Sequence, residues 1–226
     1  MVGTYAVTHR IAAIILTAVA GASCRTADVA SRAPVTQAAA PIVQPGAPGE
    51  PSRVIAATQA RDLSHVQFTG ADIKFMQGMI GHHAQAVDMV ALVPSRTSLD
   101  DIRRLALRID VSQQDEMKMM QVWLKERGQP IPDARAHHMM GATLMPGMLT
   151  PEEMAALAAA KGAAFDRLFL DGMIKHHTGA IAMVQELFGV AGAGQTPEIY
   201  SYASDVDADQ RMEIDRMGSL LKELQR

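Results

Sequence analysis

Residues Asp72–Met89 read DIKFMQGMIGHHAQAVDM, and residues Asp166–Met183 read DRLFLDGMIKHHTGAIAM. Over these 18 aligned positions nine are identical: Asp, Phe, Gly, Met, Ile, His, His, Ala and Met. Unrelated segments would share roughly one. A second match follows each copy. Ala106, Asp110, Gln113, Glu116, Met120, Leu124, Lys125 and Glu126 align with Ala203, Asp207, Gln210, Glu213, Met217, Leu221, Lys222 and Glu223. The repeating unit is therefore two segments long, and it occurs twice.

Each segment reads as a helix. Phe75, Met79, His82, Ala86 and Met89 step by four and three, the spacing of an inward-facing seam. Phe169, Met173, His176, Ala180 and Met183 repeat it. Thr69-Gly-Ala-Asp72 can cap a first helix that is expected to end near Pro94. Ser98 to Asp101 can cap a second, closed by Gly128 and Pro130. Thr150-Pro151-Glu152-Glu153 is a strong start for helix running to about Phe188, with a break near Gly162. Gly189 to Gln195 reads as a loop. Thr196-Pro197 opens a last helix that runs nearly to Arg226. No segment alternates with period two for long enough to be a strand. The expected fold is all-α: a ferritin-like four-helix bundle built from two tandem helical hairpins.

The bundle occupies residues 61–226. Repeat one spans 66–128, a Met/His-rich connection 129–149, and repeat two 150–226. Residues 25–60 are rich in Pro and Ala. The stretch Pro41–Pro51 holds four prolines, so no regular element is expected there. Residues 1–24 combine a basic start, the apolar run Ile11–Ala22 and small residues before Cys24. That pattern reads as a secretory signal, with Cys24 the candidate lipidated residue of a membrane-anchored lipoprotein. The expected location is the periplasm or the membrane surface that faces it.

Composition narrows the chemistry. The chain has 226 residues, a formal charge of -3 and one cysteine. The charge argues against nucleic-acid binding, and one cysteine makes neither an internal disulfide nor a cysteine zinc cluster. Aromatics are only 4%, whereas there are 16 methionines and 8 histidines. Soft sulfur and imidazole are the unusual resource. They suit copper, Cu(I) especially, with zinc the alternative because imidazole beside Glu116 or Glu213 would also serve it. His82 and His176 should point into the bundle, and His83 and His177 toward a neighbouring helix. Met79 and Met173 stand three residues before the inward histidines.

Further candidate ligands are Met76, Met89, Met183, Glu116, Met120, Glu213 and Met217. His137 and His138 open a Met-rich connection that reads either as a flexible lid or as a copper-capturing loop. No Gly-rich phosphate loop or nucleophile elbow is present, so an enzyme is not expected. A di-iron centre wants Glu-x-x-His pairs, and the sequence has none. The competing reading is a metal-free bundle serving as an envelope interaction module or scaffold. Its histidines would then be polar core groups bonded to Gln113, Gln210 or the two glutamates.

The doubled pattern Phe-x-x-x-Met-Ile-x-His-His-x-x-Ala-x-x-Met resembles a ferritin-like bacterial family. That family is catalogued as domain of unknown function 305 and includes CopM-like periplasmic copper-binding proteins. The joins Met145-Pro-Gly-Met148-Leu-Thr-Pro-Glu-Glu-Met154, Gln113-x-x-Glu116-x-x-x-Met120 and Gln210-x-x-Glu213-x-x-x-Met217 are similar to it too. The resemblance covers about residues 66–226. It implies an exported four-helix protein that binds copper through Met79, His82, His83, Met173, His176 and His177. A homo-oligomer is compatible with it.

Overall fold

The computed structural model describes residues 41–44, 51–64, 66–136 and 143–225. The chain divides into two compact units, Met1–Ala60 and Arg61–Arg226. The expected leader, Cys24, His137 and His138 lie outside the described residues.

The first unit corrects one expectation. Ile42–Gln44 (β1) pairs antiparallel with Arg53–Ile55 (β2), Val43 facing Val54. A four-residue helix, Ala57–Ala60 (α1), follows. Pro41 and Pro51, the prolines among the described residues of this stretch, fall outside the strands, so neither removes a ladder donor. The strand residues are largely β-branched, which favours the pleat.

The second unit is helical. Gly70–Arg96 (α2) and Asp100–Glu126 (α3) form one hairpin. Pro151–Ala159 (α4) leads into Gly162–Gly189 (α5), which pairs with Pro197–Glu223 (α6) in the second. Each long helix spans about 40 Å at 1.5 Å per residue. Thr69 caps α2 in a complete capping box: its N–H and Oγ1–H donate to Asp72 Oδ2 at 2.6 and 2.8 Å. Asp72 Oδ1 also accepts from the Gly194 N–H at 2.7 Å, which ties the start of α2 to the α5–α6 link. Thr150 forms a second capping box with Glu153, as its sequence predicts. The break near Gly162 is present, with Gly162 at φ +57°.

Two helix boundaries fall within the expected stretches and show how each is made. The first helix runs through Pro94 to Arg96. A proline so near a C-terminus forfeits one backbone bond, and the Thr97 N–H still reaches Val93 O at 3.3 Å. The α3 N-cap is Leu99, with no side-chain cap. The turn is held from the other side: Thr97 Oγ1 accepts from the Leu99 N–H, and the Arg103 guanidinium donates twice to Thr97 O.

The helices α2 and α5 pack antiparallel, with Gly78 beside Met183 and Gly172 beside Met89. Equivalent residues of the two repeats therefore meet where the helices cross, and that point is His82 against His176. Two apolar clusters flank the crossing. One gathers Met76, Met79, Met120 and Met183 with Phe75, Trp123 and Tyr202. The other gathers Met89, Met173 and Met217 with Ile109, Phe165 and Phe169. The four histidines form a polar layer between them.

Candidate metal centre

The seam that makes α2 and α5 amphipathic also drives the histidines inward. His82, His83 and His177 are fully buried, and His176 is 1% exposed. Burying an imidazole without a partner is costly, so each ring's bonds matter. His82 Nε2 meets Pro146 O at 3.0 Å, and His176 Nε2 meets His82 O at 2.9 Å. His83 Nε2 meets Glu116 Oε2 at 2.6 Å, and His177 Nε2 meets Glu213 Oε2 at 2.7 Å. Carbonyl and carboxylate oxygens only accept. All four rings therefore carry a hydrogen on Nε2. The Nδ1 atoms of His83, His176 and His177 meet no hydrogen-bond partner among the described residues. The rings of His82 and His176 lie 3.8 Å apart, tilted by 38°.

Burial holds His176 well below the ordinary imidazole pKa, and the neighbouring His82, His177 and His83 push the same way. The ring is neutral at pH 7 and its lone pair is available. In the unfolded chain it protonates near 6.5, while the folded ring refuses the proton. The unfolded state thus binds more protons below that pH, and stability falls as pH falls. Thermal melts of the metal-free protein should hold steady above about pH 7, then drop steadily from about pH 6.5 downward. A melting temperature flat across that window would contradict the buried neutral ring.

The sulfurs divide between the two flanking clusters. Met76, Met79, Met120 and Met183 lie on one side of the histidine layer, and Met89, Met173 and Met217 on the other. All are buried, so each packs the core whatever else it does. Glu116 and Glu213 are brought to the Nε2 edges of the histidines. Gln113 is buried with neither amide atom partnered among the described residues; of the partners named for the metal-free reading, the glutamates are the ones that bond the histidines. Among the described residues, no group of three or more His, Cys, Asp or Glu side chains is arranged to hold a metal ion.

The two carboxylate–histidine pairs have different surroundings. Glu213 is also approached by Arg108 Nε at 3.4 Å. Arg108 aligns with Asp205 in the second repeat, so the matching place beside Glu116 holds an acid. Glu116 lies on an open groove of about 540 Å³ with Asp115, Glu198, Asp205 and Asp209. Burial raises the Asp209 carboxyl, and the charges of Glu116, Glu213 and Asp205 raise it further. Tyr202 stands between groove and core. Its O–H donates to Met120 Sδ at 3.2 Å, and its oxygen lies 3.4 Å from His83 Nε2.

The connection between the hairpins corrects the lid expectation over its described part. Residues 145–149 form a seated strap. Gln85 clamps the Leu149 backbone, donating to its O at 2.9 Å and accepting from its N–H at 2.7 Å. Gly147 takes φ +76° against Gly179, so closely that a Cβ on Gly147 would stand 2.7 Å from Gly179 Cα. The strap delivers the Pro146 carbonyl to His82. Sequence reasoning missed Pro146, Gln85, Gly179, Arg108 and Tyr202. Their signal was a departure from the repeat: Gln85 aligns with Gly179, Arg108 with Asp205, and Leu105 with Tyr202.

Fold and site together define a duplicated four-helix protein with a buried histidine layer between methionine-rich clusters. The profile described as domain of unknown function (DUF305) matches residues 72–221, and the chain belongs to that family. A DUF305 fragment from Deinococcus radiodurans is 32% identical with a TM-score of 0.59, covering 69% of this chain and 98% of its own. A DUF305 protein from Streptomyces coelicolor is also 32% identical at TM-score 0.59, covering 68% and 93%. CopM in its Cu(I)-bound form is 28% identical at TM-score 0.54, covering 70% and 98%. CopM also matches in Cu(II)-bound and silver-bound forms. No curated protein sequence matches.

Proposed function

We propose that this chain is an exported copper-binding protein that buffers copper, chiefly Cu(I), in the cell envelope without turning over a substrate. The observation that carries the reading is the histidine layer. Four buried imidazoles spend their Nε2 hydrogens on oxygens, and Nδ1 of His83, His176 and His177 meets no partner among the described residues. Lone pairs without donors suit a cation. The methionine-rich clusters on either side make soft Cu(I) the best-matched one. Zinc is the alternative, since imidazole beside Glu116 or Glu213 would also serve it.

His82, His83, His176 and His177 are the candidate imidazole ligands, with Met79 and Met173 the first sulfur candidates. Thioether and imidazole stabilise Cu(I) and so hold it out of redox cycling. Met76, Met89, Met120, Met183 and Met217 are a reserve of further sulfur. The acidic groove at Glu116 favours the approach of a cation. The CopM likeness supports copper, and the Streptomyces coelicolor relative, assigned as secreted, supports export. The signal-like leader and Cys24 extend that to periplasmic or lipid-anchored placement.

X-ray absorption on protein carrying one equivalent of Cu(I) tests the ligand set. We expect nitrogen and sulfur together in the first shell. A shell of oxygen and nitrogen alone, or copper lost on desalting, would overturn the reading.

A further inference from the structure

We propose that Glu116 and Glu213 are positioning residues that hold His83 and His177 as Nε2–H tautomers, and that neither carboxylate ligates the ion. The proposal rests on the copper reading and deepens it. Glu116 Oε2 and Glu213 Oε2 sit 2.6 and 2.7 Å from Nε2 of a fully buried ring. At that distance the oxygen occupies the hydrogen-bearing edge, and the lone pair faces away from it. A carboxylate on the far edge of an imidazole fixes ring orientation and raises the basicity of the other nitrogen. The arrangement occurs in both repeats, on helices joined by different links. Two independent copies of one geometry argue against an accident of packing. Arg108 supports only the Glu213 copy, and Tyr202 only the Glu116 copy, so the shared element is the carboxylate–imidazole bond itself.

The test compares two double variants. Glu116→Gln with Glu213→Gln keeps an oxygen that accepts the Nε2 hydrogen. Glu116→Leu with Glu213→Leu removes it. Long-range nitrogen–proton NMR of the metal-free proteins reads each histidine tautomer, and competition titration reads Cu(I) affinity. We expect Nε2–H at His83 and His177 in the wild type and the Gln variant, with Cu(I) affinity within a small factor of each other. The Leu variant should show mixed tautomers and a loss of about 10–100-fold. Should the Leu variant not fold, the Gln variant and the wild-type spectrum still decide. A Gln variant that loses copper severely would make the carboxylates ligands and overturn the proposal. Nδ1–H rings in the wild type would overturn it without reference to metal. Wild-type protein with Nε2–H rings that takes up no Cu(I) overturns the copper reading and leaves the hydrogen-bond assignment standing.

Discussion

Gly179→Leu is expected to cost about 3 kcal/mol of stability, the upper range for forcing a side chain into a packed site. A Cβ at this position would stand 2.6 Å from Gly147 Cα and closer still to the Pro146 carbonyl. These are backbone atoms, and they have no rotamer to give. The strap must lift. Lifting it strips His82 of the Pro146 carbonyl and Gln85 of both its bonds to Leu149. The Gln85 amide is then a buried polar group left unsatisfied, which is costlier than a missing contact. Gly218→Ala is the control. It lies within α6 and a Cβ there meets nothing within 4 Å. That change should stabilise by about 0.5–1 kcal/mol through helix propensity alone. Urea unfolding midpoints separate the two. A Gly179→Leu protein as stable as wild type would mean the strap is not seated on α5.

The duplication was legible because its signal is long and doubly periodic. Phe75-to-Met89 and Phe169-to-Met183 both carry an apolar seam at helical spacing. Once two helices repeat, a four-helix bundle is the economical way to bury both seams. Thr69 and Thr150 announced their caps because the partner acid stands three residues on, within reach of the backbone. The stretch Ser98–Asp101 does open the second helix, though no side chain caps it, because Thr97 and Arg103 already hold the turn. The first helix ends at Arg96, near Pro94, since a proline in the last turn costs only one backbone bond. Ile42–Gln44 was hidden by its prolines, which turn out to bracket the strands.

The site was legible in its residue types and less so in its bonds. Spacing placed His82 and His176 toward the bundle interior and His83 and His177 toward a neighbouring helix. It did not tell a ligating glutamate from one bonded to the far edge of a ring, since both need the same residue at the same spacing. The difference lies in which imidazole nitrogen the oxygen meets, and only coordinates give that. Long-range contributions such as the Pro146 carbonyl were invisible for another reason. A backbone oxygen has no sequence signature, and it comes from a connection 64 positions away from His82.

The second large effect is on copper itself. Changing His82, His83, His176 and His177 to Gln should preserve the fold, because each amide can donate where Nε2–H donates now. It removes every imidazole Nδ1 from the layer. An anaerobic Cu(I) titration of wild type and this variant against a chromogenic chelator tests the central claim most directly. Wild type should compete for Cu(I), and the folded variant should lose at least 100-fold in affinity, about 2.8 kcal/mol. A folded variant that withdraws Cu(I) as tightly as wild type would contradict the account, and would place the copper chemistry in the methionines instead.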